Sequence, residues 1–190
     1  MKINSLLLIT GNSGKAAEFK KLINIDELEI SYKSLTLQEL QSMRIEDIGE
    51  FKTRSAFACL KGIEKIDAVL TDDTGLFCNA MNGLPGPFIK WFMDCIGTAG
   101  LLDFVRNKNT TTQAVCLLSL GLMETKEIVQ FKGVVDGRLV LAKGSNGFGW
   151  DSIFLPDGHK LTYGQMSIDE KNGMSHRTLA VRKLHDWILN

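Results

Sequence analysis

The chain carries no surplus of either charge: Lys and Arg total 22 and Asp and Glu total 22. Without a long-range basic field, general nucleic-acid binding is disfavoured, and any anion has to be held by a local cluster. Cysteine is sparse and scattered, since Cys59, Cys78, Cys95 and Cys116 form no C-x-x-C pair. Zinc and dithiol chemistry are therefore weak readings, and four buried free thiols in a reducing compartment are expected. No apolar run approaches membrane-spanning length, which predicts no membrane partner. Residues 1–10 hold a single Lys and a short apolar run that leads straight into Gly11-Asn12. That is too little for a secretory leader, so a cytoplasmic protein is expected. Internal repeats, low-complexity tracts and linkers are also missing. With 190 residues, 44% of them hydrophobic and 23% charged, residues 1–190 read as one globular domain.

What is present is an alternation of strand and helix signals. Ile3 to Ile9 is almost entirely apolar, the pattern of a strand buried on both faces. A turn at Thr10-Gly11-Asn12-Ser13-Gly14 leads to helical spacing through Ala16, Phe19, Leu22 and Ile23. Glu27 to Tyr32 predicts a second strand, and Lys33 to Arg44 a loop with a weak helical turn. Residues 47–66 predict an amphipathic helix whose inner stripe is Ile48, Phe51, Ser55, Ala58, Cys59, Gly62 and Ile66. Ala68 to Thr71 reads as a short strand ending at Asp72-Asp73. Helices are expected at Phe88 to Asp94 and about Thr98 to Arg106, and long neighbouring strands at Thr110 to Leu120 and Glu127 to Val140. A short strand at Ile153 to Leu155 and a terminal helix capped by Ser175 complete the pattern. Together these predict an α/β fold with a mixed sheet.

Three groups of residues suggest chemistry. Gly14-Lys15 after a buried strand invites comparison with a P-loop, but Ile9 stands where the first glycine belongs and Ala16 replaces the Ser/Thr. What remains is a strand, a glycine turn and a helix start that can hold phosphate through backbone N–H groups and Lys15. A plain turn with a solvated lysine is the alternative. Asp72-Asp73-Thr74-Gly75 places two carboxylates on opposite sides of a strand. One can ligate Mg²⁺ while the other orients water, Mg²⁺ commonly taking one or two carboxylates plus phosphates. A solvated Asp-rich turn is the commoner reading of such a tetrapeptide, and Glu39 is a possible second acidic ligand. The third group is Gly147-Phe148-Gly149-Trp150-Asp151 with Lys171 and Ser175-His176-Arg177. Phe148, Trp150 and Tyr163 can form a stacking platform for a base, although aromatics here are more often core. His176 and Arg177 put two potential cations in the first turn of a helix, where the dipole is already positive. An anion or Asp151 would compensate, unless both side chains point into water.

Taken together the motifs resemble the inosine triphosphate pyrophosphatases, a family that hydrolyses non-standard purine nucleoside triphosphates. The matching blocks are Thr10-Gly11-Asn12 with Lys15 and Glu18; Asp72-Asp73-Thr74-Gly75-Leu76; Gly83-Leu84-Pro85-Gly86-Pro87 with Lys90-Trp91-Phe92; Gly147 to Asp151; and Glu170-Lys171-Asn172 with Ser175-His176-Arg177. They follow one another in the family's order, and the Leu-Pro-Gly-Pro block and Trp150 resemble its eukaryotic and archaeal branch. The resemblance implies an elongated mixed sheet flanked by helices, two lobes with a central cleft, and a homodimer. It implies that Lys15 and Lys171 contact the triphosphate and that Asp73 binds metal or activates water, with Asp72 beside it. Glu39 would be the second ligand of Mg²⁺, although the family's proline before that glutamate is missing here. Thr10, Gly11 and Asn12 would bind substrate and Phe148 would stack on the base. Gly149 would bind substrate, and Trp150, Asp151, His176 and Arg177 would recognise the purine. The implied products are a nucleoside monophosphate and pyrophosphate, in keeping with cleansing of the nucleotide pool. Two other readings are a related enzyme acting on modified pyrimidine or methylated nucleotides, and a nucleotide sensor without catalysis.

Overall fold

The computed structural model describes residues 3–11, 13–60 and 66–190. Its elements are β1 (Ser5–Ile9), α1 (Ser13–Ile23), β2 (Glu29–Lys33), α2 (Ile45–Cys59), β3 (Ala68–Cys78), β4 (Pro85–Gly86), α3 (Ile89–Val105), β5 (Thr111–Leu122), β6 (Ile128–Leu139), β7 (Phe154–Pro156), α4 (Ile168–Met174) and α5 (His176–Leu189). The seven strands hydrogen-bond in the order β2-β1-β3-β5-β6-β7, with β4 against β3. β1 is parallel to β2 and β3, whereas β4 and β7 are antiparallel to their partners. The sheet is mixed, as the element order predicted.

The chain divides into two compact units. The first comprises residues 1–73, 117–132 and 180–190, and the second residues 74–116 and 133–179. In the first unit, Leu6, Leu7, Leu8 and Ile9 of β1 are all buried, so both faces of that strand are covered. Leu7, Ile9, Val69, Ala56, Phe57 and Leu60 form one core cluster. Removing a Leu or Phe side chain of this kind from water contributes about 1.5–3 kcal/mol.

The helix expected over residues 47–66 is shorter and turned. α2 ends at Cys59, Ile66 is not helical, and residues 61–65, including Gly62, lie outside the described residues. Its buried face is Ile45, Gly49, Thr53, Ala56 and Phe57, not the stripe through Ile48, Phe51 and Cys59. The physical reason is tight packing: a Cβ on Gly49 would lie 2.4 Å from Ser119 Oγ. Thr53 meets its needs inside, donating to the Gly49 carbonyl at 2.8 Å and sharing a 2.9 Å contact with the Thr71 hydroxyl. Small and polar residues therefore occupy the inward face. Cys59 is exposed as a result, as is Cys95, so only Cys78 and Cys116 of the free thiols are buried, against the expectation for all four.

In the second unit β3 does not stop at Asp72-Asp73 but continues to Cys78, because Leu76 and Cys78 are buried in a core with Ile89, Leu101, Val105, Trp150, Phe154 and Tyr163. Leu76 and Phe77 also pair with β4. α3 is two helices broken at Gly97 (φ 64°, ψ −170°), as the sequence suggested. β5 and β6 meet in a tight turn, Leu122 donating to Glu127 at 2.9 Å. The weak helical turn expected within 33–44 does not form. α4, conversely, was not foreseen. It is held by a reciprocal cap in which Glu170 N–H donates to Ser167 Oγ and Ser167 N–H donates to the Glu170 carboxylate.

Candidate active-site residues

The first unit carries a cluster of lysines and carboxylates. Adjacent residues of a strand face opposite ways, and Asp72 and Asp73 accordingly take different partners. Lys15, in the first turn of α1, reaches Asp72 Oδ2 at 2.7 Å, and Lys52, on α2, reaches Asp73 Oδ1 at 2.9 Å. Lys52 also donates to the Asp72 carbonyl at 2.9 Å. Burial opposes the Lys52 charge, but Asp73, Asp72 and Glu39 carry its pKa above the ordinary lysine value. Burial likewise pushes the Asp73 carboxyl up, Lys52 pulling it down and Asp72 adding repulsion. Lys52 was not foreseen, because the misplaced stripe on α2 drew attention to its neighbours Phe51 and Ser55.

Glu39 is exposed, yet its charge is felt at Lys52, which places it near this cluster. Thr10 donates its N–H to the Lys33 carbonyl at 3.0 Å, extending the pairing of β1 with β2, and Gly11 is exposed beside Ser34. Asn12 lies outside the described residues. Among the described residues no group of three or more His, Cys, Asp or Glu side chains is arranged to hold a metal ion. One detail nonetheless fits Mg²⁺: Asp73 Oδ2 is buried and accepts no hydrogen bond among the described residues. An orphaned carboxylate oxygen is a costly group without a donor or cation, and Mg²⁺ needs few protein ligands when phosphates and water supply the rest.

The second unit carries a different cluster. Lys171 of α4 and Asp151 form a buried ion pair at 2.6 Å, their side chains 10% and 5% exposed. Asp151 Oδ2 also accepts the Phe148 N–H at 2.8 Å, which folds the glycine turn around the carboxylate. Gly147 has φ 77°, and a Cβ there would lie 2.1 Å from Asp151 Oδ2, so this turn admits only glycine. The Lys171 ammonium lies 5.2 Å from the centroids of both Phe148 and Tyr163, and the Arg177 guanidinium 6.0 Å from that of Phe148. The three aromatics are not one platform. Trp150 and Tyr163 are buried core residues, while Phe148 is 54% exposed and has a ring open to a ligand. Gly149, also exposed, leaves space beside it.

His176 and Arg177 are both only 2% exposed, which rules out side chains that simply point into water. His176 stacks on Tyr163 at 6.0 Å with 16° between the rings and lies 5.4 Å from Trp150. Ser175 caps α5, accepting the Thr178 N–H at 3.2 Å. The Asp151 carboxylate, expected as a partner for these two potential cations, is engaged by Lys171. Burial holds the Tyr163 phenol far above its ordinary range. Lys90, by contrast, makes an exposed pair with Asp94.

Helix-borne lysines paired with strand-borne aspartates in one unit, and an open ring beside fixed cations in the other, are the attributes of an α/β protein that handles charged, ring-bearing ligands. The chain belongs to the Ham1 family, whose model matches residues 6–187. It is 42% identical over 187 residues to the inosine triphosphate pyrophosphatase of Schizosaccharomyces pombe, with 98% of this chain and 96% of that one covered. The fold is similar to the Ham1 protein of Staphylococcus aureus, with a TM-score of 0.82 and 27% identity over 97% of this chain and 98% of that one. A Mycobacterium abscessus structure described as a nucleoside-triphosphatase and dITP/XTP pyrophosphatase is similar over 95% of this chain and 98% of that one, with a TM-score of 0.71 and 27% identity. Among the described residues no helix is long and apolar enough to cross a membrane.

Proposed function

We propose that the protein hydrolyses non-standard purine nucleoside triphosphates (ITP, dITP and XTP) to the monophosphate and pyrophosphate, with Mg²⁺ as cofactor. The observation that carries this reading is the pairing of Lys15 with Asp72 and of Lys52 with Asp73, beside a buried carboxylate oxygen with no partner among the described residues. Lysines so placed can align a triphosphate, and a carboxylate among them can hold the attacking water. Asp73, with Glu39 as second ligand, would hold Mg²⁺. When bound there, the metal supplies charge compensation to the phosphate oxygens. Lys15 and Lys52 take the phosphate charge, and Asp72 keeps Lys15 in place.

Phe148 offers its exposed face to the base, and the Arg177 guanidinium donates to the ring. Hypoxanthine and xanthine present a carbonyl acceptor at position 6, whereas adenine presents an amino donor that would leave buried donors unpaired. Guanine shares the carbonyl, so it is separated at its 2-amino group. The enzyme is further proposed to be a cytoplasmic homodimer. Leu84, Trp91, Ile96 and Phe104, on and next to α3, are each exposed apolar residues that a second copy could cover. Pyrophosphate release from ITP, XTP, dITP, GTP, ATP and dUTP, with and without Mg²⁺, tests the substrate class. ITP and XTP should lead, and only with metal. Preference for dUTP, or tight ITP binding without turnover, would remove the proposal.

A further inference from the structure

Lys52 holds a position that phosphate binding alone does not explain. Its ammonium is bound by two oxygens of adjacent residues in β3, Asp73 Oδ1 and the Asp72 carbonyl, each at 2.9 Å. Carboxylate and carbonyl oxygens are the donors a hard divalent cation takes. A lysine ammonium is itself a compact, strongly hydrated point charge. Lys15, the other lysine of the cluster, is held by Asp72 Oδ2.

We propose that Lys52 is a resident stand-in for the divalent metal. In the nucleotide-free protein it neutralises Asp73 and keeps the metal off that carboxylate. When a triphosphate arrives, Lys52 transfers to phosphate oxygens and vacates Asp73, so the carboxylate changes partner without ever being left as an uncompensated buried charge. Metal and triphosphate then bind with mutual dependence, because each favours the state in which Lys52 has left Asp73. This rests on the metal-dependent reading above, but its test needs neither substrate nor turnover.

Mn²⁺ binding to the protein, followed by the loss of the free-ion electron paramagnetic resonance signal with no nucleotide present, gives the readout. Wild type should bind weakly and Lys52→Met about tenfold or more tightly, since the competing cation is gone. Lys52→Gln serves in its place should the methionine variant not fold. Lys52→Arg, which keeps the charge, should bind as weakly as wild type. Lys15→Met should not gain affinity, and adding Asp73→Asn to Lys52→Met should erase the gain. Equal Mn²⁺ affinity in wild type and both neutral Lys52 variants would overturn the inference. So would an equal gain from Lys15→Met, because that would be a general charge effect. Failure to hydrolyse ITP would remove the substrate reading while leaving the Mn²⁺ comparison intact.

Discussion

The two clusters solve opposite problems with similar residues. In the first unit, Lys15 and Lys52 each meet a carboxylate of β3, and both lysine side chains remain 24% exposed. The charges are matched in pairs, one Asp73 oxygen is left over among the described residues, and the Asp72 and Asp73 side chains are only 3% and 14% exposed. In the second unit, Lys171 and Asp151 are paired at similar distance but sunk among Phe148, Tyr163 and Trp150. The first arrangement can exchange partners, since each lysine side chain is partly solvated and can carry its charge to an incoming anion. The second cannot, because removing either partner strands a buried charge. Pairs whose lysines reach solvent suit the exchange of one anion for another. A locked pair suits a turn whose shape must not vary while it presents one open ring.

The sharpest way to break this contrast is to neutralise a carboxylate in each cluster. Asp73→Asn should lower pyrophosphate release from ITP by about a thousandfold while the melting temperature changes little; retained turnover would take Asp73 out of the site. Asp151→Asn should do the reverse, costing about 3–5 kcal/mol of stability as Lys171 loses its partner, measured by urea unfolding. If both variants behave alike, the distinction between exchangeable and locked pairs fails. A finer probe is Arg177→Lys, which keeps the charge and loses the planar fork. The ratio of kcat/KM for ITP to that for ATP should fall by about tenfold, roughly the worth of one charge-assisted hydrogen bond. An unchanged ratio would mean that Arg177 does not read the base.

The smallest effect is expected at Glu46, an exposed partner of Lys132 at 2.8 Å. The hydrogen bond from Lys132 holds its carboxyl below the ordinary value of 4.5. A depressed carboxyl contributes stability that is fully present above 4.5 and disappears as pH falls through the lower folded value. Glu46→Gln should therefore cost less than about 1 kcal/mol at neutral pH, and less again in high salt. The difference from wild type should shrink on acidification below 4.5.

What the sequence disclosed follows from how local each signal is. The β1 run and the break at Gly97 are set by a few adjacent residues and read correctly. So did the Ser175 cap. Asp72, Asp73, Lys15, Asp151, Lys171, His176 and Arg177 were all singled out, because charged groups beside glycines or at helix starts are locally odd. Lys52 was missed because its pairing with Asp73 follows from the rotation of α2, and that rotation is set by Gly49 and Thr53 meeting Ser119 and Thr71. No hydrophobic count would choose a face made of glycine and threonine. α4 is only seven residues long and lacks an apolar stripe, although Ser167 and Glu170 already spelled its cap. The depth of Trp150 and Tyr163 was equally hidden, since ring type does not reveal which aromatic of a group stays open.

The two neighbouring aspartates of β3 act as a partition, assigning the lysine of α1 to one residue and that of α2 to the next. Inserting or deleting one amino acid just upstream would reverse which carboxylate each helix meets, even with every residue type retained. The spacing from Ala68 to Asp73 is thus as much a part of the chemistry as the acids themselves, and length variation between relatives should concentrate elsewhere.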